Sequence, residues 1–348
     1  MIGAWVAGSV ASAAEGHVDV LGGMRTAPDA ALEQPAEWEP EFEPSAVGAV
    51  VARVHSNGGE AWWGLDGEVW GMVPEPDATL LALGPRAGTG ATVGDTRLEV
   101  AGRVDGELYP YVNDATNLRA EGLGSTTLRL GNVRPGLTVE GLARAYPNER
   151  TWSFRTVMAT ASVDVASTSE RVRGGLSGDW QLNAGREPDG SGWVPGQQAR
   201  GMAEFEVSGR HLEGWASYQL IYAWNGAADD AARSQFTPLG AYSSDADALS
   251  AGGFLQHKVE FGGSAEAGEW TVRASALGRW RDTEDPVAAS YARTLHGQVD
   301  VQRDLSERLA VFGTLGTSAA EVVSGKGFTD VYVWLGLSFA LGAEEARY

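Results

Sequence analysis

The sequence predicts an all-β chain closed into a transmembrane, antiparallel up-and-down barrel of about sixteen strands, on three observations. The first is the run Val331-Tyr332-Val333-Trp334-Leu335-Gly336-Leu337-Ser338-Phe339-Ala340-Leu341, in which every odd position is large and apolar. Alternate side chains of a strand point to opposite faces, so one face stays apolar over a length that a tilted membrane strand needs, about 9–11 residues. The second is Trp270 to Trp280, where Trp, Val, Ala, Ala, Gly and Trp alternate with Thr271, Arg273, Ser275, Leu277 and Arg279. Two tryptophans at the ends of one apolar face suit two interfacial aromatic belts. The third is that connections between such runs fall into a short class and a long class that alternate along the chain.

Composition bounds the reading. The chain has 348 residues with 47 glycines, 13 tryptophans and no cysteine, hydrophobics at 43% and charged residues at 21%. No apolar run reaches the roughly 20 residues of a spanning helix. A negative mean hydropathy is compatible with barrel strands, whose apolar half is interleaved with polar residues. The formal charge of −20 argues against nucleic acid as a partner, because phosphate binding needs clustered Lys and Arg.

Taken in order, Met1 to Ala14 is small and apolar, and Ala11-Ser12-Ala13 satisfies an A-x-A-like cleavage pattern, although no basic segment precedes it. Residues 1–14 are therefore expected to be a signal-peptide remnant, with a small-residue first strand as the alternative. Residues 15–348 form a single barrel domain. Its strands are expected at 17–24, 46–56, 60–72, 79–89, 95–108, 118–131, 136–146, 151–165, 170–183, 199–209, 213–225, 252–263, 268–281, 288–303, 307–318 and 328–341. Fourteen strands is the rival count. The fifth sets Leu98, Val100, Gly102, Val104, Gly106 and Leu108 against Arg97, Glu99, Arg103, Asp105 and Glu107. Val172 to Leu182, Ala216 to Trp224 and Tyr291 to Val301 alternate likewise, while the first, fourth and sixth segments carry the weakest pattern. Short connections are Asn57–Gly59, Asn132–Pro135, Ala166–Ser169, Arg210–Leu212, Ser264–Ala267 and Asp304–Ser306. Long ones include Arg25–Ser45, Ala184–Gln198 and Gly226–Ala251. Short turns on one side, periplasmic by this logic, and long loops on the other are the mark of an outer-membrane barrel.

The last strand resembles the C-terminal assembly signal of Gram-negative outer-membrane β-barrel proteins. A glycine, an aromatic three residues on and a hydrophobic residue two further are held here by Gly336, Phe339 and Leu341. Seven residues follow the strand, and Trp334 stands where a polar residue is common, both departures from the pattern. The resemblance implies a porin-like protein in the outer membrane of a Gram-negative bacterium. Its partners would be outer-membrane lipid, lipopolysaccharide, the barrel-assembly machinery and small polar solutes, and it leaves a homo-oligomer open.

The candidate lumen face carries Arg97, Glu99, Arg103, Asp105, Glu107, Arg129, Glu140, Arg144, Arg173, Asp179, Glu204, Glu206, Lys258, Glu260, Arg273, Arg279, His296 and Asp300, with Arg53, Asp66, Glu68 and Asp164 beside them. Rows of opposite charge in a wet bore select solutes; the plain alternative is that they pair and fill the wall. Trp224, Phe261, Trp270 and Trp280 are the expected interface aromatics. His55-Ser56 places two catalytic residue types side by side, but adjacent strand residues face opposite ways, and Asn57-Gly58 suits a tight turn, so no enzyme is expected. Asp29, Glu33, Glu37, Glu39, Glu41 and Glu43, and Asp229, Asp230, Asp245 and Asp247, are outer-loop acids without EF-hand spacing, read as solvated rather than as a metal site. His257 and Arg293 interrupt apolar faces; Arg293 falls near the outer rim. No cofactor is expected.

A passive pore for small polar solutes follows. The alternatives are a polysaccharide exporter using Trp215 and Trp334 as a sugar track, or a non-conducting scaffold or adhesion barrel. A soluble β-sandwich is the competitor outside the membrane. A compact band before boiling and a slower one after it are expected on a detergent gel; one unfolded-size band from native membranes would count against the barrel.

Overall fold

A computed structural model describes residues 14–26, 45–56, 61–73, 79–111, 113, 116–148, 150, 153–167, 169, 171–186, 192–224, 253–283, 291–322 and 327–341. Residues 1–13 of the expected signal-peptide remnant, both acidic loop clusters and Asn57-Gly58 lie outside them, while Ala14 is already part of a strand. No helix among the described residues is long and apolar enough to cross a membrane.

Sixteen antiparallel strands close on themselves. They are β1 (Ala14–Arg25), β2 (Ser45–Ser56), β3 (Ala61–Val73), β4 (Leu80–Val93), β5 (Thr96–Leu108), β6 (Asn117–Leu128), β7 (Val133–Ala145), β8 (Phe154–Ala166), β9 (Val172–Arg186), β10 (Trp193–Ser208), β11 (Leu212–Ala223), β12 (Phe254–Ala267), β13 (Trp270–Thr283), β14 (Tyr291–Ser306), β15 (Leu309–Val322) and β16 (Gly327–Leu341). Each pairs with its sequence neighbours, and β1 closes the wall against β16, from Gly16↔Leu341 to Arg25↔Tyr332. The seam continues past the strand end, where the Thr26 N–H donates to the Val331 carbonyl at 3.1 Å and the Val331 N–H to the Thr26 hydroxyl at 2.8 Å. Sixteen strands, not fourteen, make the wall.

Connections after even-numbered strands are short: 94–95, 268–269 and 307–308 hold two residues each. Gly94 and Gly268 adopt φ of 61° and 63° there, a conformation that two-residue hairpin turns demand and that a side chain resists. Connections after odd-numbered strands reach their maximum at 224–253. Three expectations shift. β10 begins at Trp193, so the loop expected over 184–198 contracts to 187–192, because Gln197 and Gln198 continue the ladder opposite Leu182 and Gln181. β6 ends at Leu128, which leaves Arg129 in the turn rather than in the wall. The other short turns sit a few residues from their expected places, since polar positions beside a turn alternate as strand residues do.

Alternation sorts the two faces as the pleat requires. On β16, Val331, Val333, Leu335, Leu337, Phe339 and Leu341 are exposed on the outer wall, whereas Tyr332, Trp334, Ser338 and Ala340 are buried toward the bore. Val100 and Leu335 are 61% and 66% exposed, which a soluble interior would not permit. Inward glycines make room for large neighbours on the next strand. A Cβ at Gly336 would stand 2.7 Å from Phe312 Cε1, and Gly316 lies directly under the Tyr332 ring.

Leu335→Arg places a charge on the lipid face and should cost about 2–4 kcal/mol if it sits near the bilayer midplane. The same substitution at the solvated inward Glu206 should cost far less. Reversible unfolding in lipid vesicles measures both, and equal losses would contradict the assignment of faces.

Candidate functional site: the bore

The bore is two-sided. On β15, β16, β1 and β2, the inward residues Phe312, Tyr332, Trp334, Leu21, Val47 and Ala49 form one buried apolar cluster, against which Trp70 of β3 packs. Tyr332 and Trp334 stack at 5.4 Å between ring centroids. The Tyr332 hydroxyl donates to Gln298 Oε1 at 2.8 Å, and its ring stacks on His296, whose Nδ1 is hydrogen-bonded to the Ser318 hydroxyl at 2.9 Å. Trp334 is 8% exposed and Trp215 lies on β11 with its ring over Gly262. The two tryptophans therefore form no continuous sugar track.

Most of the inward charges lie on β3 to β14, and the seam wall adds Asp19, Arg53 and Asp330. Arg97, Glu99, Arg103, Asp105 and Glu107 all face inward on β5, as alternation requires. Arg97 and Glu99 pair at 3.4 Å at the short-turn mouth. Arg103 Nε donates to Asp105 Oδ1 at 2.6 Å. Glu107 accepts from Asn117 Nδ2 at 3.0 Å and pairs with Arg144 of β7 at 3.5 Å. Arg119 pairs with Glu121 on β6. Asp179 of β9 stands opposite Arg200 of β10, whose Nε donates to it at 2.6 Å. Arg173 faces Glu206 across the same strand pair, and Glu204 lies beside Gly175. On β12, Lys258 and Glu260 are 3.9 Å apart. On β13, Arg273 stands opposite Asp300 and Arg279 opposite Thr294, whose hydroxyl accepts from Arg279 Nη2 at 3.1 Å. Asp300 also accepts from Gln298 Nε2 at 2.9 Å and from the Thr314 hydroxyl at 2.6 Å.

Burial along this wall has a direction. Toward the long-loop rim, Asn117, Arg144, Phe154, Gln198, Gln256, Arg281 and Thr294 are buried. There Gln198 donates to Gln181, Gln181 to Asn183, and Arg281 to Gln256. Just beyond β5, burial and the nearby Glu107 push the Tyr109 phenol well above its ordinary value, so it remains protonated. Toward the short-turn rim, Arg97, Glu204, Glu206, Glu213 and Arg273 are exposed. Inward side chains are thus packed more closely in the long-loop half.

Between these levels, a recess of about 420 Å³ opens in the wall. It is lined by Trp62, Arg86, Arg103, Arg119, Glu121, Leu123, Glu140, Leu142, Met158, Gln181 and Arg200. Only Arg103 and Glu140 of that set were expected from sequence. Arg119, Glu121 and Leu123 were overlooked on a weakly patterned strand, although their alternation is legible. Trp62, Leu142 and Met158 carried no signal, since apolar residues are not expected on a wet face.

On the outer wall, Trp270 and Trp280 are 47% and 44% exposed near opposite rims. Trp224 packs against Trp180 at 5.0 Å and Tyr222 at 4.8 Å at the long-loop rim. Phe261 is the eighth of fourteen residues in β12, at mid-height rather than at an interface, because alternation gives a residue's face but not its depth. His257 has an explanation: its Nδ1 is hydrogen-bonded to the Tyr218 hydroxyl at 2.8 Å on the same outer face. Arg293 stands opposite Trp280. Arg155 lies 4.5 Å over the Trp193 ring, and Arg303 lies 5.3 Å over Trp270. His55 and Ser56 diverge, and Ser56 Oγ accepts from the Trp63 N–H at 3.3 Å beside the turn.

No protein-family model matches the chain, and no curated protein matches it in sequence. Among solved structures, it is similar to OpdO of Pseudomonas aeruginosa, with a TM-score of 0.52, 11% identity and coverage of 94% of this chain and 97% of that one. It is also similar to the outer membrane channel DcaP of Acinetobacter baumannii, with a TM-score of 0.50, 11% identity and coverage of 96% and 99%. At such identity the likeness is one of fold. The chain has the architecture of an outer-membrane β-barrel.

Arg200→Ala should lower the unfolding free energy by roughly 3 kcal/mol, since it strands the buried Asp179 carboxylate. Adding Asp179→Asn should recover most of that loss. Denaturant titration of the refolded barrel measures both, and a single variant as stable as the parent would show the pair to be solvated.

Proposed function

We propose that the chain is a passive diffusion channel of a Gram-negative outer membrane, admitting small polar solutes through a charged, hydrated bore. The observation that carries this reading is the division of the wall. Its exterior is predominantly apolar, with Arg155, Arg293 and Arg303 near the rims, and its inner face holds ion pairs that would be costly anywhere but beside water. Sixteen strands give room for an aqueous path, and side chains on the seam wall narrow it. Passage needs neither cofactor nor covalent chemistry, and the proposal assigns no catalytic residue. Arg155 and Arg293, on the outside near the long-loop rim, suit contact with lipopolysaccharide phosphates. Gly336, Phe339 and Leu341 suit recognition by the assembly machinery, with Phe339 and Leu341 presented on the outer face.

Acids and bases in this bore are matched largely pair by pair, so discrimination by charge sign should be weak. In planar bilayers the refolded barrel should give discrete conductance steps, with a K⁺ to Cl⁻ permeability ratio within roughly one order of magnitude of unity. Liposome swelling should be fast with small sugars and fall as the sugars grow. A barrel that folds, as shown by its gel shift, yet neither conducts nor admits sugars would overturn the channel and favour a scaffold.

A further inference from the structure

Inward positions of a wet barrel are normally polar, yet Leu123 of β6 and Leu142 of β7 both face this bore. They stand one rung apart. Leu123 is opposite Glu140, and Leu142 is opposite Glu121. Met158 of β8 flanks Glu140 on its other side. Apolar groups and carboxylates therefore alternate like a checkerboard on three strands. The next positions along the rung are small: Leu123 is followed by Ala101 and then Gly88, across which the Trp62 indole lies. The floor between Trp62 and Leu123 is left open, and this is the recess of about 420 Å³. That volume falls within the range of small-molecule pockets, about 300–1,000 Å³.

Three of the ion pairs around it share one orientation, while Arg119–Glu121 is reversed, with the arginine 20% and the carboxylate 32% exposed. In the pairs Arg86–Asp66, Arg103–Asp105 and Arg200–Asp179, the carboxylates are 16%, 5% and 2% exposed, and the arginines 36%, 40% and 22%. The acids lie against the wall and the guanidiniums stand toward the bore. Each guanidinium has five N–H donors, of which a wall carboxylate occupies only part; at Arg200, Nη2 also donates to Met158 Sδ at 3.2 Å. Glu140 is a second carboxylate turned into the recess, and Arg200 is the cation whose field reaches it.

We propose, on the premise that the bore conducts, that this recess is a solute-selecting subsite for zwitterionic α-amino acids with apolar side chains. The solute carboxylate would take the free guanidinium edges, its ammonium would meet Glu140, and its side chain would cover Leu123, Leu142 and Met158. A simple carboxylate brings no ammonium to Glu140. A simple amine meets the guanidiniums. A sugar leaves the three apolar side chains uncovered.

Equilibrium dialysis of labelled L-leucine against the refolded barrel in detergent tests the site independently of conduction. Interruption of single-channel current by leucine, leucinamide, 4-methylpentanoate and glucose tests it in the membrane. Leucine should bind and interrupt current at concentrations about tenfold lower than the other three, the value of one lost charge contact or one uncovered apolar group. Glu140→Gln should weaken leucine binding about tenfold, whereas Glu213→Gln, outside the recess, should leave it unchanged. Leucine retained with no current in bilayers would sink the channel and keep the site. Equal potency of 4-methylpentanoate and leucine, equal potency of leucinamide and leucine, or conduction with no leucine binding would each overturn the site and keep the channel.

Discussion

Every part of this structure depends on closure of the seam between β1 and β16. Inside hydrocarbon no water is present to satisfy a backbone N–H or C=O, so an open sheet edge would leave a row of unmet groups at several kcal/mol each. The first and last described strands remove that row by pairing with each other from Gly16↔Leu341 to Arg25↔Tyr332. The Thr26 hydroxyl and Asp330 extend the join beyond the ladder, with Thr26 N–H donating to Asp330 Oδ1 at 3.3 Å. Closure is the least local pairing among the described strands, so it carries the largest loop-closure entropy. Only with that pairing made does the inner face enclose a bore.

Closure also fixes how the interior can be used. Alternate residues must point inward whatever their chemistry, and the seam wall answers by packing Leu21, Val47, Phe312, Tyr332 and Trp334 into one apolar cluster. The glycines at 316 and 336 let the large rings lie along the wall instead of standing across the bore. The remaining circumference keeps water and charge. One side is thickened by apolar side chains, and the long-loop half is cross-linked by the amide and guanidinium contacts around Gln181, Gln198 and Gln256.

Much of this was legible in the sequence because a two-residue period in a membrane strand is a consequence of solvent on both faces. Strand existence, face and the parity of turns all follow from it, and β16, β13 and β5 were read almost to the residue. The limits have physical causes. Gln197 and Gln198 extend β10 without any apolar contrast between the faces, so its first turn of ladder was hidden. Arg129 sits past the end of β6 because a turn residue and a lumenal one are equally polar. Depth was not legible for Phe261, since alternation carries no coordinate along the barrel axis. Ion pairing across strands was likewise hidden: Arg200 meets Asp179 only through the register of β9 and β10, which the sequences of the two strands do not state separately. Leu123 and Leu142 were readable as exceptions to a rule, and exceptions of that kind in a bore are where specificity is to be sought.

The formal charge of −20 is a poor guide to such a bore. The field a solute meets depends on where each charge ends, and in three of the pairs, at Arg86, Arg103 and Arg200, a wall-side acid sits beneath a guanidinium that projects inward. Viewed from the bore, an Arg103–Asp105 or Arg200–Asp179 pair presents its cationic end first, although each pair is neutral. Such dipoles act over a few ångströms and fade quickly in water, unlike an unpaired ring of one sign. A wall built this way gains little from long-range steering and much from contact. It tells solutes apart where they touch it, so recognition falls to the recess shared by Glu140, Leu123 and Met158 rather than to the net charge of the chain.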